Sequence, residues 1–223
     1  MPQTMKTLTV TQNITQYLRT RIISGEYKPG QKLIENNLAS LLEGSNAPVR
    51  EAFLILEKEQ LVVKIPRKGC FVTEVSMEDC RQIFQARLAM EFCAIDILEK
   101  ANIKNLPDVA SALKASSSLL QIPLVDQEEP SKKHNPFPEF HIKLIESTRN
   151  SWLVNLYNMI SPTLARYQFM ATLANVPDKT QGEHKEILDL IERGEYGKAK
   201  ECLRVHASRI EETLGKILST DIR

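Results

Sequence analysis

The sequence predicts a mainly α-helical protein with two parts, a small helical unit closed by a β-hairpin and a larger all-α antiparallel helical bundle. Three observations predict this fold class. Apolar residues recur at three- and four-residue spacing along most of the chain, β-rich runs occur only between residues 61 and 73, and helical spacing returns after Ser76. We therefore expect a first domain at 8–75 and a second at 76–222.

Three helical patterns, separated by turn signals, occupy the first 60 residues. The first ends near Ser24-Gly25, a Pro29-Gly30 turn follows, and Glu35–Leu42 predicts a short second helix. The third begins at Ser45-Asn46, where either side chain can cap the first free amides. The residues expected to face inward are Ile14, Leu18, Ile22, Leu38, Leu41, Leu42, Val49, Ala52, Phe53 and Leu56.

A basic hairpin follows the third helix. Leu61–Ile65 and Cys70–Thr73 are rich in β-forming residues and flank the turn Pro66-Arg67-Lys68-Gly69. Two helices, a turn, a third helix and a hairpin, in this order, are typical of a winged helix-turn-helix. The sequence therefore predicts that the first domain binds DNA.

Arg50 is the candidate DNA-reading residue of the third helix. The N-terminal turn of the recognition helix enters the major groove in this motif. Arg50 lies on the face opposite the apolar residues, where its guanidinium can reach a guanine edge or a phosphate. The alternative is a solvated arginine paired with Glu51 or Glu57.

The second part is predicted to be helical except at residues 121–138, where four prolines remove backbone amides that a helix needs. That segment is expected to be a loop. The helical patterns are Met77–Lys100, Leu106–Leu120, Phe140–Thr148, Trp152–Leu173, His184–Glu192 and Tyr196–Leu218.

Charge and motifs narrow the class of function. Residues 1–75 hold ten Lys or Arg against seven Asp or Glu, a net charge of +3, and the remaining 19 basic and 21 acidic residues sum to −2. This asymmetry favours nucleic acid at the N-terminal end.

No apolar run approaches the ~20 residues of a membrane span and no secretion signal is visible, so we expect a cytoplasmic protein without membrane contact. No HExxH, GxSxG or phosphate-binding loop is present, so an enzyme is not expected.

Residues 12–75 resemble the DNA-binding domain of the GntR family. The matching segments are Leu18–Leu33, Glu35 with Leu38 and Ala39, Pro48–Ala52, Leu61-Val62 and Arg67–Val72. The resemblance implies a homodimer that binds double-stranded operator DNA, and a repressor is expected. The DNA-contacting residues it implies are Asn36, Ser45, Asn46, Ala47, Arg50, Arg67, Lys68 and Gly69.

The recognition helix departs from the family at two positions. Members commonly have Ser-Arg-Thr-Pro where this chain has Ser45-Asn46-Ala47-Pro48. The base-reading arginine is thus an asparagine, which can pair with adenine but supplies no cation. We expect an atypical operator and weaker attraction to phosphate.

Residues 77–222 resemble the FCD domain of FadR-like members of the family. The matching motifs are Arg87–Glu91, Phe140-His141 with Asn150, and Glu183-His184 followed by Gly194-Glu195, Ala199 and His206. The resemblance implies that His141, His184 and His206 join an Asp to bind a divalent metal. Phe137 stands at the position of that Asp. Three imidazoles with open positions can still hold Zn²⁺ or Ni²⁺, with reduced affinity.

Arg87 and Arg166 are the candidate partners of a small carboxylate effector, because a guanidinium binds a carboxylate with two parallel hydrogen bonds. The alternative is an ion pair on a helix face, for example Arg87 with Glu91. The sequence thus predicts a regulator whose operator binding responds to a carboxylate. The alternative function is a regulator whose second domain only dimerises, without metal or effector.

Overall fold

The structure is a computed structural model that describes residues 9–42, 45–119, 139–173 and 177–220. The chain divides into two compact units, Met1–Val75 and Ser76–Arg223. The predicted fold class is confirmed, since helices dominate both units and the first carries a small antiparallel sheet. The predicted loop at 121–138 and Phe137 lie outside the described residues.

The first unit is a winged helix-turn-helix. Its elements are α1 (Val10–Ile23), β1 (Lys32–Leu33), α2 (Glu35–Leu41), α3 (Asn46–Lys58), β2 (Val62–Ile65) and β3 (Gly69–Val72). The strands form an antiparallel sheet in the order β1-β3-β2. The sequence did not predict β1, because two residues are too few to show the alternation of a strand.

Local signals define the ends of α1. The hydroxyl of Thr9 accepts a hydrogen bond from the amide of Gln12 at 3.2 Å, and the Gln12 side chain accepts one from the amide of Thr9 at 2.8 Å. This reciprocal pair is a capping box. The helix ends at Ile23, two residues before Gly25, whose φ of +73° is a left-handed conformation that favours glycine.

The core of the first unit contains nine of the ten residues expected to face inward, eight of them buried and Leu42 partly buried. Leu41 is the exception, because 60% of it is exposed. Leu38, Ala39 and Leu42 define the inward face of α2, and at 3.6 residues per turn Leu41 lies about 110° from the centre of that face. The prediction for Leu41 was therefore wrong.

The second unit is all-α. Its helices are α4 (Met77–Lys100), α5 (Pro107–Leu119), α6 (Glu139–Glu146), α7 (Ser151–Leu173), α8 (Pro177–Glu192) and α9 (Tyr196–Thr220). α8 begins seven residues earlier than predicted, because residues 178–183 are polar or Gly and show no apolar periodicity. No helix among the described residues is long and apolar enough to cross a membrane.

Packing in the second unit brings α6, α8 and α9 together. α4 packs against α6, α7 and α9, and α8 packs against α9. The apolar core contains Ile95 and Leu98 from α4, Phe140 and Leu144 from α6, Ile187 and Ile191 from α8, and Ala199 and Leu203 from α9. The polar site described below lies in the same helices, so this packing sets the distances between its side chains.

Candidate functional site

The residues predicted to contact DNA lie at the surface of the first unit. Asn36 is exposed on α2, and Ser45, Asn46, Ala47 and Arg50 lie at the start of α3, where only Asn46 is partly buried. Arg67, Lys68 and Gly69 are exposed where β2 turns into β3. These surfaces are the recognition helix and the wing of the motif.

Two hydrogen bonds join α2 to the side of α3 that carries the predicted DNA contacts. Nδ2 of Asn46 donates to Oδ1 of Asn36 at 2.8 Å, and Nε of Arg50 donates to Oε2 of Glu35 at 2.6 Å. Glu51 and Glu57 were the predicted alternative partners of Arg50. Both were wrong, because Arg50 pairs with Glu35, while these two carboxylates accept hydrogen bonds from Thr11 and from the Lys64 amide.

The predicted cap of α3 was also wrong. Ser45 is the N-cap residue but its side chain makes no capping hydrogen bond, and the Asn46 amide group is used by Asn36. An N-cap hydroxyl bonds the amide of the second or third helical residue. The third residue here is Pro48, which has no N–H, so half of the usual donors for a cap are missing.

The tip of the wing has a tight backbone. Ile65 and Gly69 are paired across the hairpin, and the amide of Lys68 donates to the carbonyl of Ile65 at 3.0 Å. Arg67 has φ +64° and Gly69 has φ +112°, so both are in left-handed regions. A Cβ at Gly69 would lie 3.2 Å from Cε of Lys32. Glycine therefore suits this position on both conformational and steric grounds.

In the second unit the three predicted histidines meet. His141 comes from α6, His184 from α8 and His206 from α9, and at most 5% of each is exposed. One nitrogen from each ring lies within 4.8 Å of the other two. The Nε2 atoms of His184 and His206 are 3.3 Å apart. We call these three residues the histidine cluster.

Two of the three rings in the histidine cluster have the spacing of a metal site, and the third lies within 4.8 Å of them. Zinc lies about 2.0–2.1 Å from imidazole nitrogens, and tetrahedral angles then place two such nitrogens roughly 3.4 Å apart. The 3.3 Å between Nε2 of His184 and Nε2 of His206 matches that spacing. Imidazole nitrogens are ligands that suit several transition-metal ions, Zn²⁺ and Ni²⁺ among them.

A carboxylate orients one ring of the cluster. Nδ1 of His206 lies 2.7 Å from Oε2 of Glu183, which also accepts a hydrogen bond from Nη2 of Arg209 at 2.5 Å. Since Nδ1 then carries the proton, Nε2 has the free lone pair that a metal requires. Glu183 was predicted only as part of a family motif, not as a site residue. Its position next to His184 was the signal that could have identified it.

A buried ion pair adjoins the cluster on α4. Nε of Arg87 lies 2.9 Å from Oε1 of Glu91, and that oxygen lies 2.8 Å from Nδ1 of His141. Nη2 of Arg87 also contacts both ring nitrogens of His141, at 2.5 and 2.7 Å. Within the described part of the chain, Nη1 of Arg87 and Oε2 of Glu91 have no hydrogen-bond partner. The Arg87–Glu91 ion pair, which was predicted as the alternative on a helix face, is thus present, but it is buried next to the histidine cluster.

Arg166 and two aromatic residues that were not predicted as site residues are buried in the same unit. Arg166 is buried on α7, with 4% of it exposed. Tyr157, also on α7, has a raised pKa, mainly through burial and with smaller effects of the Arg87 and Glu91 charges. Phe140 stacks on His184 with ring centroids 4.4 Å apart. Apolar spacing predicted Phe140 and Tyr157 only as helix residues.

The histidines are held neutral. Burial, followed by the positive charge of Arg87, keeps the pKa of His141 well below its ordinary value, and burial does the same for His184. Burial also lowers the pKa of His206, against the opposing effect of Glu183. Burial raises the pKa of Glu183, but the hydrogen bonds from His206 and Arg209 outweigh it and bring that pKa to about 2. Neutral imidazoles have lone pairs available to a metal at neutral pH.

Comparisons with known proteins agree with this architecture. Residues 10–72 match the family of bacterial regulatory proteins called gntR, and residues 82–209 match the FCD domain. The gluconate operon transcriptional repressor of Bacillus licheniformis is 29% identical over 175 residues, which cover 77% of this chain and 68% of that protein. The transcriptional repressor GlaR of Escherichia coli K12 is 24% identical, with 86% and 89% covered.

Solved structures show the same fold. A GntR transcriptional regulator from Rhodococcus sp. RHA1 superposes with a TM-score of 0.74 and 23% identity, covering 92% of this chain and 96% of that one. These relatives are regulators rather than enzymes. The chain therefore belongs to the GntR family of bacterial regulatory proteins, carries an FCD domain after its winged helix-turn-helix, and is a DNA-binding transcriptional regulator.

Proposed function

We propose that this regulator is a homodimeric repressor whose operator binding is modulated by a small carboxylate held in the FCD domain. One observation carries the proposal. Three buried, neutral imidazoles meet beside Arg87, whose Nη1 is buried without a hydrogen-bond partner among the described residues. A buried donor of this kind costs free energy unless a ligand satisfies it. A carboxylate of the effector would accept from it, with Arg166 as the second candidate partner on α7.

His141, His184 and His206 are the residues that would hold a divalent metal. When bound, the ion would supply a positive centre with open positions for carboxylate oxygens. Glu91 occupies Nδ1 of His141, so Nε2 is the nitrogen left for the ion, and Nη2 of Arg87 contacts that same atom. Arg87 and a metal therefore compete for His141. With Phe in place of Asp at position 137, we expect weaker metal binding than the family pattern implies.

The first unit supplies operator binding. The eight residues at the start of α2 and α3 and at the wing tip are our proposed DNA contacts. The two matched repressors favour repression, rather than activation, as the role of this protein.

An effector changes operator affinity only if it binds one arrangement of the dimer more tightly than the other. Because operator DNA lies in the bacterial cytoplasm, we propose that location.

Thermal-shift measurements test the proposal. Full-length protein without an affinity tag is treated with chelator and mixed with small mono-, di- and hydroxycarboxylates, with and without Zn²⁺ or Ni²⁺. We expect one class to raise the melting temperature in the metal-loaded protein, because a ligand that binds only the folded state stabilises it. The same class should change operator affinity in a mobility-shift assay.

Paired variants make the test specific. His184→Ala should abolish the metal-dependent shift, whereas Lys185→Ala, the exposed neighbour on the same helix, should retain it. The alternative regulator, whose second domain only dimerises, predicts no shift with any carboxylate and less than about a tenth of an equivalent of bound metal. That result would overturn the sensing role.

A further inference from the structure

We propose that Asn36 and Asn46 act as a pair that reads an adenine in the major groove, with Asn46 contacting the base and Asn36 as its positioning residue. This inference rests on the proposed placement of α3 in the major groove. Beyond that placement, we propose which base is read, adenine, and a second residue, Asn36, that contributes to the preference for it.

The structure joins the two amides directly. Nδ2 of Asn46, the first residue of α3, donates to Oδ1 of Asn36 on α2 at 2.8 Å. An amide nitrogen has two hydrogens, and this bond uses one of them. Asn46 therefore has one N–H and its carbonyl oxygen left for a ligand, a donor and an acceptor side by side.

The remaining groups match one base edge. In the major groove adenine presents the N7 acceptor beside the N6 amino donor, whereas guanine presents two acceptors, N7 and O6. A donor next to an acceptor can form two hydrogen bonds with adenine. Against guanine, the Asn46 oxygen would face another acceptor, so only one hydrogen bond would form.

Asn36 restrains the Asn46 amide from turning over on its own to suit another base. An isolated asparagine can exchange its oxygen and nitrogen positions by rotating its terminal bond. Such a rotation here would set the Asn46 oxygen against Oδ1 of Asn36, two acceptors at hydrogen-bonding distance. Only a joint rotation of both amides would keep a hydrogen bond between them, so Asn36 removes the independent rotation of the Asn46 amide in the free protein.

A second side chain of α3, one helical turn further on, is also held by a residue of α2. Arg50 is four residues after Asn46 and is held by Glu35, the residue before Asn36. The first turn of α2 thus orients two side chains on one face of α3. Where the resembling family has an arginine cation, this chain has a neutral amide that is hydrogen-bonded to a neighbouring side chain in the free protein.

Site selection from random double-stranded DNA with full-length protein provides the first test. We expect one position in each half-site to require adenine, and replacing that A·T pair by G·C should weaken binding about 5- to 150-fold. Replacing the adenine by 7-deazaadenine, which lacks the N7 acceptor, should weaken binding at the same position. Asn46→Arg should shift the preference there toward guanine.

Variants of Asn36 separate positioning from general stability. Asn36→Ala should reduce the preference for adenine over guanine at this position, while Asn36→Asp, which keeps an acceptor for Asn46, should preserve that ratio. Asn37→Ala, its exposed neighbour on α2, is the matched control and should leave the ratio unchanged. The ratio compares two DNAs with one protein, so a loss of folded protein does not alter it.

The outcomes distinguish this inference from the proposed function. Failure to select any sequence would overturn operator binding by this surface and the asparagine pair with it. Selection of a defined operator in which neither Asn46→Arg nor Asn36→Ala changes the base preference at any position would overturn the pair alone.

Discussion

Glu183 and His206 form a carboxylate–imidazole pair in which Nδ1 of the ring lies 2.7 Å from the Glu183 carboxylate. The bond leaves Nε2 of His206 facing Nε2 of His184. Arg209 binds both oxygens of the same carboxylate, so the pair is itself held in place. Glu183, which is not one of the three candidate ligands, therefore sets which nitrogen of His206 keeps a free lone pair.

Replacing this carboxylate should weaken metal binding. Glu183→Gln removes the negative charge that makes the His206 imidazole a stronger metal ligand. Changes at residues that hydrogen-bond to metal ligands typically lower metal affinity 10- to 100-fold. We expect that loss for Ni²⁺ or Zn²⁺ in competition titrations against a chromophoric chelator. Glu195→Gln, a surface carboxylate paired with Lys198, is the control and should have no effect. Equal affinities for the two variants would contradict the role of Glu183.

The metal-free protein should lose stability in mild acid. The pKa values of His141 and His184 are lowered by burial and by neighbouring positive charge, while in the unfolded chain they are near 6.5. Below pH 6.5 the unfolded chain therefore binds protons that the folded chain does not. The free energy of unfolding should fall by up to about 1.4 kcal/mol per pH unit for each imidazole.

Urea denaturation of chelator-treated protein between pH 7.5 and 5 measures this slope. His184→Asn should reduce it by about one proton, whereas Lys185→Ala should not change it. Glu183 does not contribute in this window, because its stabilising effect is lost only as the pH falls from 4.5 toward about 2. A flat profile between pH 7.5 and 5 would show that the imidazoles titrate normally.

Removing one partner of the buried Arg87–Glu91 ion pair should destabilise the protein more than removing both partners. Arg87→Met leaves the Glu91 carboxylate buried beside His141 without its cation, at a cost of about 3–5 kcal/mol. The double variant Arg87→Met/Glu91→Leu should recover most of that loss, because no charge then stays buried. A double-mutant cycle by urea denaturation measures the coupling. Additive effects would contradict a direct pair.

Arg50 should contribute one charge to DNA binding. Arg50→Ala is expected to lower operator affinity and to flatten the dependence of log K on log salt by about one unit, since one counterion fewer is released. Arg81→Ala on α4, also an exposed arginine paired with a glutamate, is the control. Fluorescence anisotropy at four salt concentrations gives the slopes. An unchanged slope for Arg50→Ala would place its guanidinium away from the phosphates.

Most of the secondary structure was predictable because its causes are local. The apolar spacing within α1, α3 and α4, the Thr9–Gln12 capping box and the strands around the wing all depend on residues a few positions apart. Leu41 shows where this fails. In a helix of seven residues the apolar pattern alone does not show which leucines face the core, and the neighbouring helix α3 settles the orientation.

The site depended on contacts between residues far apart in the chain. His141, His184 and His206 lie on three helices, and no spacing along the sequence could show that their rings meet. Resemblance to a family predicted the set, and packing of α6, α8 and α9 placed it. The pairing of Arg50 with Glu35, fifteen residues away, was missed for the same reason.

The chain alone thus established the helices, the wing, the family and the candidate histidines, since periodicity and motif order act over short distances. Tertiary packing decided that Arg87 shares Glu91 and His141, that Glu183 orients His206, and that Asn36 holds Asn46. A hydrogen bond needs its two atoms about 3 Å apart. For residues on different helices, only the way those helices pack determines whether that condition is met.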